Sequence, residues 1–165
     1  MKRNHMTYEE LITIAHYKNG MLFWRGFDGP PIGKVWSYTR GQCPKYYVKC
    51  WINGRSYYEH RLIFLMHHGY MPEQIDHKNG DTLDNRICNL RAASNGQNQQ
   101  NKGAMPKSRV GLKGVSYKKY MHLYRAQISA NGKGYHLGYF STPSKAHEAY
   151  KAAATKLHKE FARFA

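Results

Sequence analysis

The stretch Ile75-Asp76-His77-Lys78-Asn79-Gly80-Asp81, followed by Asp84-Asn85-Arg86 and Asn89-Leu90-Arg91, leaves the chain few ways to fold. Asn and Gly tolerate positive φ, and as an adjacent pair they suit both centres of a type I′ turn. Asn79-Gly80 therefore predicts a hairpin with arms Ile75 to Lys78 and Ile87 to Arg91, and with Asp81 to Arg86 as a wider loop. A polar helix is expected from about Ser94, where Asn95, Asn98 and Asn101 recur at helical spacing. Asp76 and His77 lie on the first arm and Asn89 on the second. One carboxylate, one imidazole and several carboxamides are thus gathered in a chain of formal charge +16.

That set of groups suits phosphodiester hydrolysis. Imidazole has the ordinary pKa best matched to deprotonating a water near neutral pH, which makes His77 the candidate general base. A hard divalent cation takes oxygen ligands, commonly one or two carboxylates, with substrate phosphate and water completing the shell. Asp76 with the amide oxygen of Asn98 meets that description. A base must also hold one tautomer, and the carboxamide oxygen of Asn89 could accept the other ring N–H of His77.

Over roughly Tyr46 to Lys102 the sequence resembles the HNH endonucleases, in the form found in phage and intron-borne homing nucleases. The resemblance is carried by Glu59-His60-Arg61-Leu62, Asp76-His77, the Asn-Gly turn, Asp84-Asn85-Arg86, Asn89-Leu90-Arg91 and the Asn98/Asn101 pair. It implies a ββα hairpin and helix around one divalent cation, Mg²⁺ foremost and Mn²⁺ as the alternative. It also implies His77 as general base, Asp76 and Asn98 as metal ligands, and Asn89 as the residue that orients His77. Arg61, Arg86 and Arg91 are expected to contact DNA, and His60 is equally suited to a structural role or to phosphate.

Charge is unevenly spread. Residues 1–105 hold 14 Lys and Arg against 8 Asp and Glu, whereas residues 106–165 hold 12 against 2. Such an excess favours a polyanion and salt-dependent binding. No apolar run approaches ~20 residues and no basic amphipathic helix dominates, so double-stranded DNA, not a membrane, is the expected partner. Cys43, Cys50 and Cys88 are odd in number and form no C-x-x-C pair, which argues against a disulfide framework or a zinc site. Free thiols and the lack of a secretion signal at the start point to the cytoplasm. No small-molecule substrate is expected, and the chain is read as a monomer or homodimer.

In chain order, Thr7 and Glu10 form a capping-box pattern opening a short helix whose apolar side is Leu11, Ile12, Ile14 and Ala15, ending near Asn19-Gly20. Met21 to Arg25, Gly33 to Tyr38, Tyr46 to Ile52 and Arg55 to Tyr58 read as a small antiparallel sheet, with Asn53-Gly54 as a hairpin turn. Trp24, Trp36, Trp51 and the cluster Tyr46, Tyr47, Tyr57, Tyr58 are expected to favour core packing over stacking on bases. Glu59 to His68 reads as a helix burying Leu62, Ile63, Leu65 and Met66, terminated by Gly69.

Gly103 to Arg109 is a linker by composition. Beyond it, Lys113 to Lys118, Tyr124 to Ala130 and Tyr135 to Phe140 read as strands, and Thr142-Pro143 opens a helix through about Lys159, with Ala146, Ala149, Tyr150, Ala153 and Leu157 on one face. Gly114-Val115, Tyr124-Arg125-Ala126, His136 to Phe140 and the Ala146/Ala149/Tyr150 stripe resemble the DNA-binding domain of the plant ethylene-response-factor type, the AP-two family. That resemblance implies a sheet face in the major groove, here Tyr117, Lys119, Arg125, Gln127, Lys133 and Tyr135. The fold class expected is α+β: a nuclease domain over 1–102 with a small antiparallel sheet and ββα-metal unit, a linker over 103–109, and over 110–165 a three-stranded antiparallel sheet on one helix. The expected function is a metal-dependent DNA endonuclease of homing type; a non-catalytic, sequence-specific DNA-binding protein or regulator is the alternative.

Overall fold

Thr7 and Glu10 close the capping box their spacing predicts: the Glu10 N–H donates to Thr7 Oγ1 at 3.2 Å, and the Thr7 N–H to Glu10 Oε2 at 3.0 Å. The helix they open, α1 (Tyr8–Ile14), is shorter than expected in the computed structural model, which describes residues 6–39, 44–103 and 109–164. The chain becomes extended at Ala15, and β1 (Ala15–Lys18) pairs antiparallel with β2 (Met21–Trp24). Asn19 (φ 49°) and Gly20 (φ 85°) are the left-handed centres of this hairpin. The pair expected to stop a helix thus joins two strands, and burial of Ala15 and Leu22 together outweighs another helical turn.

Strands β3 (Lys34–Thr39), β4 (Pro44–Ile52) and β5 (Arg55–Tyr58) form a separate three-stranded antiparallel sheet in that order. Asn53 (φ 50°) and Gly54 (φ 72°) make the β4–β5 turn. One face of this sheet carries Cys50 and Ile52 into the core; Trp36 and Trp51 lie on the other and are exposed. Core packing, expected for all three tryptophans, holds for Trp24, which lies against the core. For Trp36 and Trp51 strand parity decides the opposite.

Helix α2 (Glu59–His68) spans the expected residues and ends at Gly69 (φ 71°), whose N–H donates to Leu65 O at 2.8 Å. It buries Leu62, Ile63, Phe64 and Leu65 among Leu11, Leu22, Cys50, Ile52, Ile75 and Leu90, with Met66 at the margin. Each fully buried side chain of this size contributes about 1.5–3 kcal/mol. This core, through Ile75, also holds β6 (Gln74–His77), which pairs with β7 (Leu90–Ala93).

The β6–β7 connection differs from a type I′ hairpin. Asn79 is not at positive φ; Gly80 is (φ 76°), and its N–H bonds His77 O at 2.8 Å. Ile87–Asn89, expected in the second arm, is a short 3-10 turn. The Asn79 side chain supplies the reason: its Oδ1 accepts the Asp81 N–H at 2.8 Å, an Asx turn that holds the backbone out of the left-handed region. After β7, Ser94 and Gln97 form a capping box for α3 (Asn95–Gln100).

Backbone contacts divide the chain into two compact units, Met1–Ala92 and Ala93–Ala165, which groups α3 with the tail. Residues 104–108 of the expected linker lie outside the described residues. In the second unit β8 (Val115–Lys118), β9 (Leu123–Ala130) and β10 (Lys133–Phe140) form a sheet of order β10-β9-β8. Helix α4 (Pro143–His158) packs on it, capped by Thr142, whose Oγ1 accepts the Lys145 N–H at 3.3 Å. Its buried residues are Ala146, His147, Tyr150, Ala154 and His158; the expected Ala153 packs at the margin of the core, and Ala154 and His158 are buried where Leu157 was expected. Leu157 is exposed, and His158 turns inward, where Ser129 O lies 2.9 Å from its Nε2. The α+β class stands as expected.

Candidate active site

The last two residues of β6 are the candidate chemistry. Asp76 and His77 are both buried. Arg91, on the neighbouring strand β7, donates from Nε at 2.8 Å and lies 2.7 Å away through Nη2, both toward Asp76 Oδ2. Arg91 therefore helps to orient the carboxylate and is itself largely covered.

Behind His77 runs a buried chain of hydrogen bonds that sequence reasoning missed. His77 Nε2 is 3.1 Å from Asn85 Oδ1; Asn85 Nδ2 donates to Glu59 Oε2 at 2.9 Å; and Glu59 Oε1 accepts the Leu22 N–H at 3.0 Å. Glu59 and Asn85 are 1% and 2% exposed. A carboxylate can only accept, so Glu59 turns the amide end of Asn85 toward itself and the carbonyl end toward the ring. The ring must then donate from Nε2, which leaves the lone pair on Nδ1. Burial raises the Glu59 carboxyl above its ordinary value, and the bonds from Leu22 and Asn85 pull it back. Glu59 and Asn85 belong to the residues that carry the family resemblance, and only that signal could have singled them out.

Asn89, expected to orient His77, bonds to the turn that follows His77. Its Oδ1 accepts the Asn79 N–H at 3.0 Å, and its Nδ2 donates to Asn79 Oδ1 at 3.1 Å and to Asp84 O at 2.8 Å. It braces the turn after His77 against the loop that carries Asn85, and the direct ring contact is made by Asn85. The physical reason is reach: the 3-10 turn points the Asn89 side chain into the loop.

His60, at the start of α2, is buried, and its ring stands 5.2 Å from that of His77, edge to face. Burial first, then the neighbouring His77 and Arg61, push its pKa down to about 3, so it is a neutral wall beside His77. Arg61 donates to Pro72 O at 3.2 Å and tethers the loop after α2. Arg86 is exposed and grips Asp84 with both prongs, Nε to Oδ1 at 2.8 Å and Nη2 to Oδ2 at 2.7 Å. The Arg86 guanidinium holds the Asp84 carboxyl down at about 2.

A metal bound here would meet Asp76. Among the described residues no group of three or more His, Cys, Asp and Glu could hold an ion, so there is no protein cage of the zinc type. One buried carboxylate beside an imidazole does fit a hard cation whose shell is finished by carboxamide, phosphate and water. Asn98 lies half-buried on α3, in the second unit.

The tail sheet has a register that splits the expected face. Arg125 pairs with Ser116 and Tyr139, and Gln127 with His136, on the side away from the buried Ala126 and Ile128. Tyr135 pairs with Ile128, Lys133 with Ala130, and Tyr117 with Tyr124, which gives them the parity of the helix side. Lys119 falls in the turn between β8 and β9. Of the expected set, Arg125 and Gln127 share the outer face, joined by His136 and Tyr139; the Arg125 Nε donates to His136 Nδ1 at 3.4 Å.

Comparison with known proteins agrees with this geometry. Residues 57–100 match the family model described as HNH endonuclease. The chain is also similar to Protein 3.8 of Escherichia phage T7, 31% identical over 90 residues that cover 54% of this chain and 74% of that protein. No solved structure matches. The matched segment opens at Tyr57 and contains Glu59, His77, Asn85, Asn89 and Asn98, and on these grounds residues 57–100 are an HNH endonuclease domain, in a chain related to this phage protein.

Proposed function

We propose that the chain is a divalent-metal-dependent DNA endonuclease of homing type in which His77 deprotonates the attacking water. The observation that supports this most is the buried Glu59–Asn85–His77 chain, which leaves Nδ1 as the basic nitrogen. A DNA-binding protein without catalysis has no use for a buried carboxylate spent on one imidazole tautomer.

In the proposed reaction Nδ1 of His77 takes a proton from water as its oxygen bonds to phosphorus. The P–O3′ bond breaks with its electron pair on O3′, which takes a proton from solvent water, leaving 5′-phosphate and 3′-hydroxyl. The imidazolium that forms is held by the Asn85 carbonyl, itself polarised by Glu59. Such a base contributes about 10²–10⁴-fold. A divalent cation, for which Asp76 and Asn98 are the ligands that the family resemblance implies, would supply Lewis-acid stabilisation of the phosphoryl and leaving oxygens. Arg91 keeps Asp76 aimed, and Asn89 keeps the turn between base and loop in shape. One such centre cuts one strand. The tail, in the AP-two-like reading, docks on duplex DNA through Arg125, Gln127, His136 and Tyr139, with its lysines adding salt-dependent attraction.

The test is incubation of wild type and His77→Ala with supercoiled plasmid in low salt with Mg²⁺, Mn²⁺ or EDTA. Metal-dependent nicked or linear product from wild type alone is expected. Equal product from both proteins rejects His77 as the base, and tight binding without product under either metal favours the non-catalytic regulator.

A further inference from the structure

The sheet β3-β4-β5 turns an aromatic and cationic face outward. Register aligns Trp36 with Tyr47 and Lys49 with Tyr58, and Trp51 lies two residues further along β4 on the same side. The opposite side carries Cys50 and Ile52 into the core, so these rings are surplus to packing. Trp36 is 46% exposed and Trp51 52%. Their rings lie 6.1 Å apart, and Lys49 Nζ sits 4.6 Å from the centre of the Trp36 ring and 5.1 Å from that of Tyr58. Large exposed apolar groups gathered in one place mark a binding surface.

We propose that this face is a stacking platform for the unpaired bases of a DNA strand. Indole and phenol rings offer π faces to bases of any sequence, and lysine held at ring level meets the phosphates between them. In a duplex the base faces are already stacked on one another and only their edges are open, so flat exposed rings suit an unpaired strand. The charge agrees: Lys34 and Lys49 share the face with the rings, and the described positions of that face, Lys34, Trp36, Tyr47, Lys49, Trp51, Ser56 and Tyr58, include no carboxylate. The platform is continuous with the candidate active site. Tyr58 stands 5.6 Å from the His60 ring, and His60 5.2 Å from the His77 ring. Thr82, in the loop carrying Asn85, donates its hydroxyl to Tyr46 O on β4. A strand opened beside the cut has a place to lie.

The inference takes its choice of DNA from the nuclease reading, but its test reads binding alone. The full-length protein, in EDTA and moderate salt, is titrated into fluorescein-labelled single-stranded oligothymidine and, separately, into a blunt duplex of equal length. The double variant Trp36→Ala/Trp51→Ala is expected to lose about 5- to 150-fold per stacked base on the single strand while changing duplex affinity less than about twofold. Trp36→Phe and Trp51→Phe keep a ring in place and are expected to keep most of the affinity. Equal losses on both ligands would make the face a duplex contact, and no loss on either would remove it from nucleic-acid binding; each overturns the proposal. A wild type that binds both DNAs but never cleaves would count against the nuclease reading and leave the platform standing.

Discussion

Glu59→Gln tests the tautomer reasoning with the smallest change available. Glu59 offers two acceptors to two buried donors, the Leu22 N–H at 3.0 Å and Asn85 Nδ2 at 2.9 Å. Glutamine keeps the shape but has a single acceptor oxygen. One donor must then lose its partner, a buried loss of about 1–3 kcal/mol, unless the network rearranges. The least costly rearrangement keeps the Leu22 bond and turns the Asn85 carboxamide over, so that its oxygen accepts from Gln and its Nδ2 faces the ring. His77 Nε2 must then accept, the proton moves to Nδ1, and the basic nitrogen is lost. The expected fall in kcat approaches the whole value of a general base, about 10²–10⁴-fold, or 2.7–5.4 kcal/mol at 1.36 kcal/mol per tenfold. KM should change little, and stability should hold, because a neutral amide escapes the penalty that burial places on the carboxylate. Nicking rates at saturating plasmid give kcat, and the ¹⁵N shifts of the His77 ring report the tautomer directly. Wild-type kcat in Glu59→Gln, or lost activity with the proton still on Nε2, would refute the reasoning.

Other outcomes follow from the same geometry. The folded chain holds the Glu59 proton to a higher pH than the unfolded chain does, so the contribution of this group to stability is full below its ordinary value of 4.5 and is lost as the pH climbs through the raised one. Urea midpoints measured against pH should show that decline in wild type and not in Glu59→Gln. Gly114 sits at φ +75°, and a Cβ there would meet Tyr150 Cδ2 at 2.0 Å; Gly114→Ala should destabilise the second unit by about 2–5 kcal/mol in urea or thermal unfolding. Burial first, with Glu59 second, pushes the Cys50 thiol up to about 12, whereas Cys88 is exposed. Iodoacetamide at pH 8 should label Cys88 promptly and Cys50 only after unfolding, as read by mass spectrometry.

Much of the fold was legible where local chemistry settles it. The span of α2 follows from its apolar side and Gly69, and α4 from Thr142-Pro143; the tail strands fall within two residues of their expected starts. What failed to show was any property set by partners distant in sequence. Asn19-Gly20 and Asn79-Gly80 are the same dipeptide, yet one makes the left-handed pair and the other does not, because Asn79 has Asp81 to bind. Strand parity divided the expected tail face and sent Trp36 and Trp51 outward, since a shift of one residue reverses every side chain. At the candidate site Asp76 and His77 stand together as expected, but the internal bonds of the three arginines assigned to DNA, a loop tether, a surface ion pair and a carboxylate clamp, were not legible. The link from Glu59 to Asn85 spans 26 residues, which no spacing rule reaches.

The hairpin β1–β2 sets a limit on how freely the nuclease segment can be transplanted. Leu22 supplies Glu59 with its backbone partner, and Tyr17 Oη accepts the Ile87 N–H at 3.2 Å. Gly20 lies so close to the loop that carries Asn85 that a Cβ there would sit 3.0 Å from the Arg86 nitrogen. All three residues precede the segment 57–100 by which the family is recognised. A graft of that segment alone onto a foreign DNA-binding module would import His77 and leave behind the Leu22 amide that bonds Glu59. The portable unit begins no later than the first hairpin, and a chimaera cut at Tyr57 should inherit the signature of the family without its chemistry.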